Sequence, residues 1–209
     1  MDSLWSGVII DEVLKSYEER LQFRKRSRPR FPRPGPNGPF REARALPAIQ
    51  DHELSNFLKI LIALANTAGQ ALQSDIFARC ESEEEFQESL RNRLRQNPEI
   101  GSDLEEHPHV GRGISDLSFR GISLELKFSD KPIGHDDVGD FLPQATAYVS
   151  PADRRFGFLI VLDASVKTEA PGSAANDIFL HEVLPSAAGL PLLVGVVIMR
   201  ANLPKPSTL

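Results

Sequence analysis

Asp116-Leu-Ser-Phe-Arg-Gly-Ile-Ser-Leu-Glu-Leu-Lys127 is the stretch on which the reading of this chain turns. Apolar and polar residues alternate on both sides of Arg120-Gly121, the pattern of two half-buried strands joined by a tight turn. With Arg120 and Gly121 as the loop, the register runs outward from Phe119 facing Ile122. Ser118 then faces Ser123, Leu117 faces Leu124, and Asp116 lands opposite Glu125. Directly opposed side chains lie about 5 Å apart at Cβ, where like charges repel. Lys127 is two residues past Glu125 and shares its face. Two carboxylates forced together beside a lysine are best explained by a divalent cation.

The chemistry is consistent with that. Mg²⁺ takes oxygen ligands at about 2.1 Å and keeps several waters, so one or two carboxylates plus a substrate phosphate suffice. A neighbouring lysine can orient an attacking water, assist its deprotonation, or stabilise charge growing on a phosphate. Asp, then Glu-x-Lys on the next strand of a hairpin, resembles the active-site signature of the PD-(D/E)XK nuclease superfamily. That resemblance implies Asp116 and Glu125 as metal ligands, Lys127 as the catalytic lysine, and Mg²⁺ or Mn²⁺ as cofactor. One departure is visible: Ser115 stands where the name-giving proline would be. The plainer alternative is an amphipathic hairpin with its charges turned to water.

Three neighbouring segments bear on the choice. Val138–Val149 reads as a helix with Val138, Phe141, Ala145 and Tyr148 on one face. Gln144 and Tyr148, four apart, are neighbours on its surface. The resemblance extends to this Q-x-x-x-Y, implying that Gln144 contacts the lysine, substrate or water and that Tyr148 lies against substrate. Pro143 conflicts mildly with a long helix unless it falls in the first turn. Ser82–Gln96 reads as a helix with Phe86, Leu90 and Leu94 as its buried stripe, opened by the capping box Ser82/Glu85. By resemblance such a helix donates a further metal-site glutamate. Glu83 matches the spacing best, with Glu84, Glu85 and Glu88 as rivals. A cluster of acids at a helix N-terminus is also favoured by the macrodipole alone. Gly111-Arg112-Gly113 precedes the Asp strand, and Arg112 is a candidate phosphate contact or a solvated turn residue.

Around this centre the chain divides into four sections without internal repeats. Residues 1–22 read as an N-terminal helix with Ile10, Tyr17 and Leu21 on one face. Residues 23–50 are dense in Arg and Pro and belong to an extended or flexible linker. Residues 51–80 form one long apolar helix, or two broken near Gly69, whose apolar circumference requires burial against the core or a partner. Residues 81–205 are the candidate nuclease domain. There Phe156–Asp163 and Leu192–Arg200 are continuous apolar runs suited to strands buried on both faces, with Ile178–Leu184 a shorter strand. The expected fold class is α/β: by resemblance a restriction-endonuclease-like mixed sheet flanked by helices, with an α-helical N-terminal extension. The resemblance covers about 120 of the 209 residues.

Charge qualifies the functional reading. The chain is net −5, yet Arg20 to Arg44 holds nine basic residues against Glu42 alone, leaving about −13 on the remainder. The basic stretch is therefore either an electrostatic foothold for nucleic acid or a docking segment for an acidic partner. A single cysteine, Cys80, excludes intramolecular disulfides and suits a reducing cytoplasm. No apolar run approaches the ~20 residues that span a bilayer, and the N-terminus lacks the order of a signal peptide. His107-x-His109 lacks further ligands for a zinc site. No P-loop, dinucleotide fingerprint, nucleophile elbow or helix-turn-helix appears.

The expectation is a Mg²⁺-dependent deoxyribonuclease, which by family habit implies phage defence, restriction or repair. The alternatives are an RNA-cleaving enzyme, or a nuclease-fold interaction subunit joined to itself or a protein partner through the N-terminal helices.

Overall fold

The computed structural model describes residues 51–106, 109–110, 113–114, 116–149, 155–169, 172–183 and 192–204. The expected helix within 1–22, the linker 23–50, Arg112 and Ser115 lie outside them, as does the Tyr148 side chain. Helix α1 (Asp51–Ser74) and helix α2 (Glu83–Gln96) come first. Five short strands follow: β1 (Leu104–Glu106), β2 (His109–Val110), β3 (Gly113–Ile114), β4 (Leu117–Phe119) and β5 (Ile122–Ser129). Helix α3 (Leu142–Val149) leads to β6 (Phe156–Asp163), β7 (Ile178–Val183) and β8 (Leu192–Arg200).

Six strands make one mixed sheet in the order β1-β4-β5-β6-β8-β7, and β2 pairs with β3 in a separate ladder. Neighbours β5, β6 and β8 run parallel, while β4 and β7 are antiparallel to their partners. Parallel neighbours need a crossover connection, which α3 supplies between β5 and β6. The architecture is α/β.

The hairpin register is the one the alternation dictates: Phe119 opposite Ile122, Ser118 opposite Ser123, Leu117 opposite Leu124. Arg120 (φ 48°) and Gly121 (φ 81°) both adopt left-handed φ, as a two-residue type I′ turn requires. Arginine is costly there, but its guanidinium bonds Asp103 at 2.7 Å and Asn56 at 3.1 Å, tying the turn to α1.

Every residue of β6 is buried, as is β8 up to Met199. On one face Leu159, Val161, Val194, Val196 and Ile198 pack against Val138, Leu142 and Ala145, the α3 side. On the other, Phe57 of α1 stacks on Phe156 and Phe158, each at 4.7 Å between centroids. Gly195 lies under the Phe158 ring, where an added Cβ would sit 2.5 Å from a ring carbon. The apolar helix left open between core and partner thus packs on its own sheet, and Asp51–Leu209 is one compact unit.

Of the two forms expected for residues 51–80 the single helix is found, and one other helix departs from expectation. Helix α1 continues through Gly69 to Ser74, since its buried face (Phe57, Ile60, Leu61, Leu64, Ala68, Ala71) spans both sides of the glycine. It ends at Asp75 (φ 46°), whose carboxylate accepts the amides of Asn202 (3.0 Å) and Leu203 (3.2 Å). The expected helix 138–149 divides into a 3₁₀ turn, Asp137–Asp140, and α3 from Leu142. Pro143 is the cause: its ring and missing N–H are accepted only in a first turn.

Candidate active site

Strand β4 begins at Leu117, so among the described residues the second half of β5 has a strand neighbour only on the β6 side. Asp116 bends into the opening. Its Oδ2 accepts the Leu126 amide at 2.8 Å, replacing the ladder bond that β4 no longer supplies, and so holds its carboxylate beside Glu125. Gln87 on α2 donates to the Asp116 carbonyl at 3.2 Å.

Glu125 and Lys127 project from β5 on the face of their register partners Leu159 and Val161, which is the α3 side. Glu125 is 1 % exposed, and neither carboxylate oxygen accepts a hydrogen bond. The Lys127 ammonium is 2.9 Å from Oε1, close enough for strong attraction but off hydrogen-bond geometry, so the contact is ionic. Lys127 Nζ also donates to the Leu126 carbonyl at 2.7 Å and to Glu83 Oε1 at 3.4 Å.

The electrostatics follow from burial. Desolvation raises the Glu125 carboxyl from 4.5 to about 7; Asp116 and Glu83 add to the rise and Lys127 opposes it. Burial pulls the Lys127 ammonium the other way, but Glu125, Glu83 and Asp116 outweigh it and leave its pKa raised. At neutral pH the lysine is charged.

The four expected residues Glu83, Asp116, Glu125 and Lys127 are thus brought together. The helix cap removes a rival to Glu83: Ser82 accepts the Glu85 amide at 3.2 Å, and Glu85 turns back to the Glu81 amide at 2.8 Å. Glu88 pairs with Arg91 at 3.6 Å, and Glu84 is exposed. Gln144 is exposed on α3 and no hydrogen bond joins it to Asp116, Glu125 or Lys127. Gln87 was not anticipated; its signal was the spacing of four from Glu83, which places both on one side of α2.

These residues suit a hard divalent cation. The Lys127 ammonium meets Glu125 Oε1 but offsets only part of the cost of burying the carboxylate, whose pKa stays raised, and Asp116 offers a second carboxylate alongside. Among the described residues no group of three or more His, Cys, Asp and Glu side chains converges as a metal cage. A two-carboxylate site would leave the remaining positions to water and substrate oxygens.

A second polar cluster went unread in the sequence. At the C-terminal ends of β6 and β8, the fully buried Asp163 meets Lys167, at 2.6 Å, and Arg200. It also accepts the Ile133 amide and both donors of Ser165. These contacts outweigh burial and hold the Asp163 carboxyl below its ordinary value. A cleft of about 400 Å³ opens beside them. Its two cations are committed inside the protein, Arg200 to Asp163, Asp177 and the Ile133 carbonyl, and Lys167 to Asp163 and Ser165. The cluster clamps strand ends.

No family model matches the chain, and neither the curated proteins nor the solved structures provide a match. Among the described residues no helix is long and apolar enough to cross a membrane.

Proposed function

We propose that this chain is a Mg²⁺- or Mn²⁺-dependent nuclease of the PD-(D/E)XK type that hydrolyses DNA phosphodiester bonds, its sheet a restriction-endonuclease-like core. The observation that carries the reading is the buried Glu125 carboxylate set beside the Asp116 carboxylate and the Lys127 ammonium on one hairpin edge. Asp116 and Glu125 would hold the cation, which lowers the pKa of a water and neutralises phosphate charge.

The rest falls to the chain's own groups. The Asp116 hairpin fixes the two carboxylates before substrate arrives, so little reorganisation is needed. Lys127, charged and anchored to the Leu126 carbonyl, can donate to a non-bridging phosphate oxygen as negative charge develops there. Gln144 and Tyr148 on α3, together with Arg112, are proposed substrate contacts. The basic segment 20–44 supplies a phosphate foothold that the acidic remainder lacks. The alternative, an interaction subunit joined through the N-terminal helices, has residues 1–22 left for it, since α1 packs into its own core. Phage defence, restriction and repair are the settings proposed for such an activity, in a cytoplasmic location.

Incubation with plasmid, linear and single-stranded DNA and with RNA, with Mg²⁺, Mn²⁺ or EDTA, tests the reading. Metal-dependent DNA cleavage that EDTA stops is the expected result. Cleavage of RNA alone would move the substrate class, and no cleavage of any nucleic acid would sink the enzyme.

A further inference from the structure

We propose that the Lys127 ammonium is a built-in competitor for the cation position on Glu125, and that Glu83 is where it moves when a divalent ion enters. The inference rests on the metal-site reading given above. Lys127 Nζ lies 2.9 Å from Glu125 Oε1 and 3.4 Å from Glu83 Oε1, between the two carboxylates. A divalent ion coordinated by Glu125 would stand within a few ångströms of that ammonium. A double and a single positive charge so close repel strongly even at an effective dielectric of about 20. Metal entry therefore requires Nζ to leave Oε1.

The surroundings fix where it goes. The lysine side chain is 14 % exposed, so it cannot simply swing into water. Its bond to the Leu126 carbonyl is to backbone and can persist as a pivot. Glu83 is already within reach and is 44 % exposed, free to adjust toward the ammonium. Glu85 is held by the helix cap and Glu88 by Arg91, so neither competes for this role. Glu83 then serves the lysine as a positioning residue and is not a ligand of the metal.

Calorimetric titration of Mn²⁺ into the full-length protein at pH 8.5 tests this, with circular dichroism to confirm folding of each variant. Lys127→Met, and Lys127→Gln as a second neutral variant, should lower the Kd for Mn²⁺ by about tenfold or more. Lys127→Arg, which keeps the charge, should stay within about threefold of wild type. Glu83→Gln should raise the Kd about threefold or more in the wild type, where the ammonium loses its receiving carboxylate, and leave it unchanged in the Lys127→Met background. No effect in the wild type overturns the role of Glu83. Equal or weaker Mn²⁺ binding by the neutral variants overturns the competition. Loss of affinity on adding Glu83→Gln to Lys127→Met makes Glu83 a ligand and overturns its assigned role. Absence of Mn²⁺ binding in every protein overturns the metal site itself, an outcome distinct from binding that Lys127 does not affect.

Discussion

The Asp116 carboxylate receives the Leu126 amide at 2.8 Å, one residue from Glu125 and one from Lys127. This bond turns a broken β-ladder into a pair of carboxylates. Just ahead of β4, an aspartate takes over the next backbone donor of β5, and its negative charge is thereby held against a second carboxylate. The arrangement is electrostatically costly, because Lys127 offsets only part of the burial and repulsion at Glu125, and its measurable consequences follow from that cost.

The pH dependence of stability carries the mark of Glu125. Its carboxyl is raised from 4.5 to about 7, chiefly by burial. A carboxyl raised on folding binds more protons in the native state, so stability falls as pH rises from about 4.5 to about 7 and levels off above. The full shift corresponds to about 3 kcal/mol. Glu125→Gln should remove this decline, so melting curves at pH 5 and pH 8 should show a smaller loss in the variant than in the wild type. An identical loss in both would deny Glu125 its buried, unsatisfied state.

Divalent ions should offset the same cost. Mg²⁺ or Mn²⁺ at about 100 times its Kd stabilises the native protein by about 2.7 kcal/mol and raises Tm accordingly. Asp116→Asn should lose most of this increase. An equal rise in both proteins would place the metal elsewhere, the Glu83–Glu85 helix turn being the first alternative.

The clamp at Asp163 is a matter of stability alone. Asp163→Ala removes the carboxylate facing Lys167 and one of the four hydrogen bonds of Arg200 in a largely buried setting, a loss of about 3 kcal/mol or more. Urea unfolding checks it, and a variant within 1 kcal/mol of wild type, on the order of a routine surface change, would contradict the clamp.

Two glycines should respond oppositely. Gly195→Ala forces a methyl to 2.5 and 2.7 Å from Phe158 ring atoms in a close-packed core and should destabilise by about 1–3 kcal/mol. At Gly69, inside α1, an added Cβ meets nothing within 4 Å, and Gly69→Ala should stabilise by about 0.5–1 kcal/mol. Thermal unfolding of the pair decides, and the same sign for both would be unexpected.

The sequence carried the hairpin, its register and three site residues because period-2 alternation around Arg120-Gly121 admits one pairing. It carried α2 through Ser82 and the Phe86, Leu90, Leu94 stripe. It could not place α1, because an apolar circumference reads alike whether a sheet or a partner covers it. Nor could local pattern distinguish a 3₁₀ turn from the first turn of a helix before Pro143. Among the acids of α2, spacing favours Glu83, and its rivals fall away once Lys127 is seen beside it and Glu85 and Glu88 are seen engaged elsewhere. The Asp163 clamp joins its local partner Lys167 to residues 133, 177 and 200, whose proximity depends on the fold, and no local spacing encodes that.

The most direct measurement is the rate of metal-dependent DNA cleavage by wild type, Glu125→Ala and Lys127→Ala, each shown to be folded. If Glu125 holds the cation and Lys127 stabilises charge on the phosphate, each substitution should slow cleavage by about a hundredfold or more. Cleavage by both variants at the wild-type rate would contradict the assignment of this hairpin as the active site.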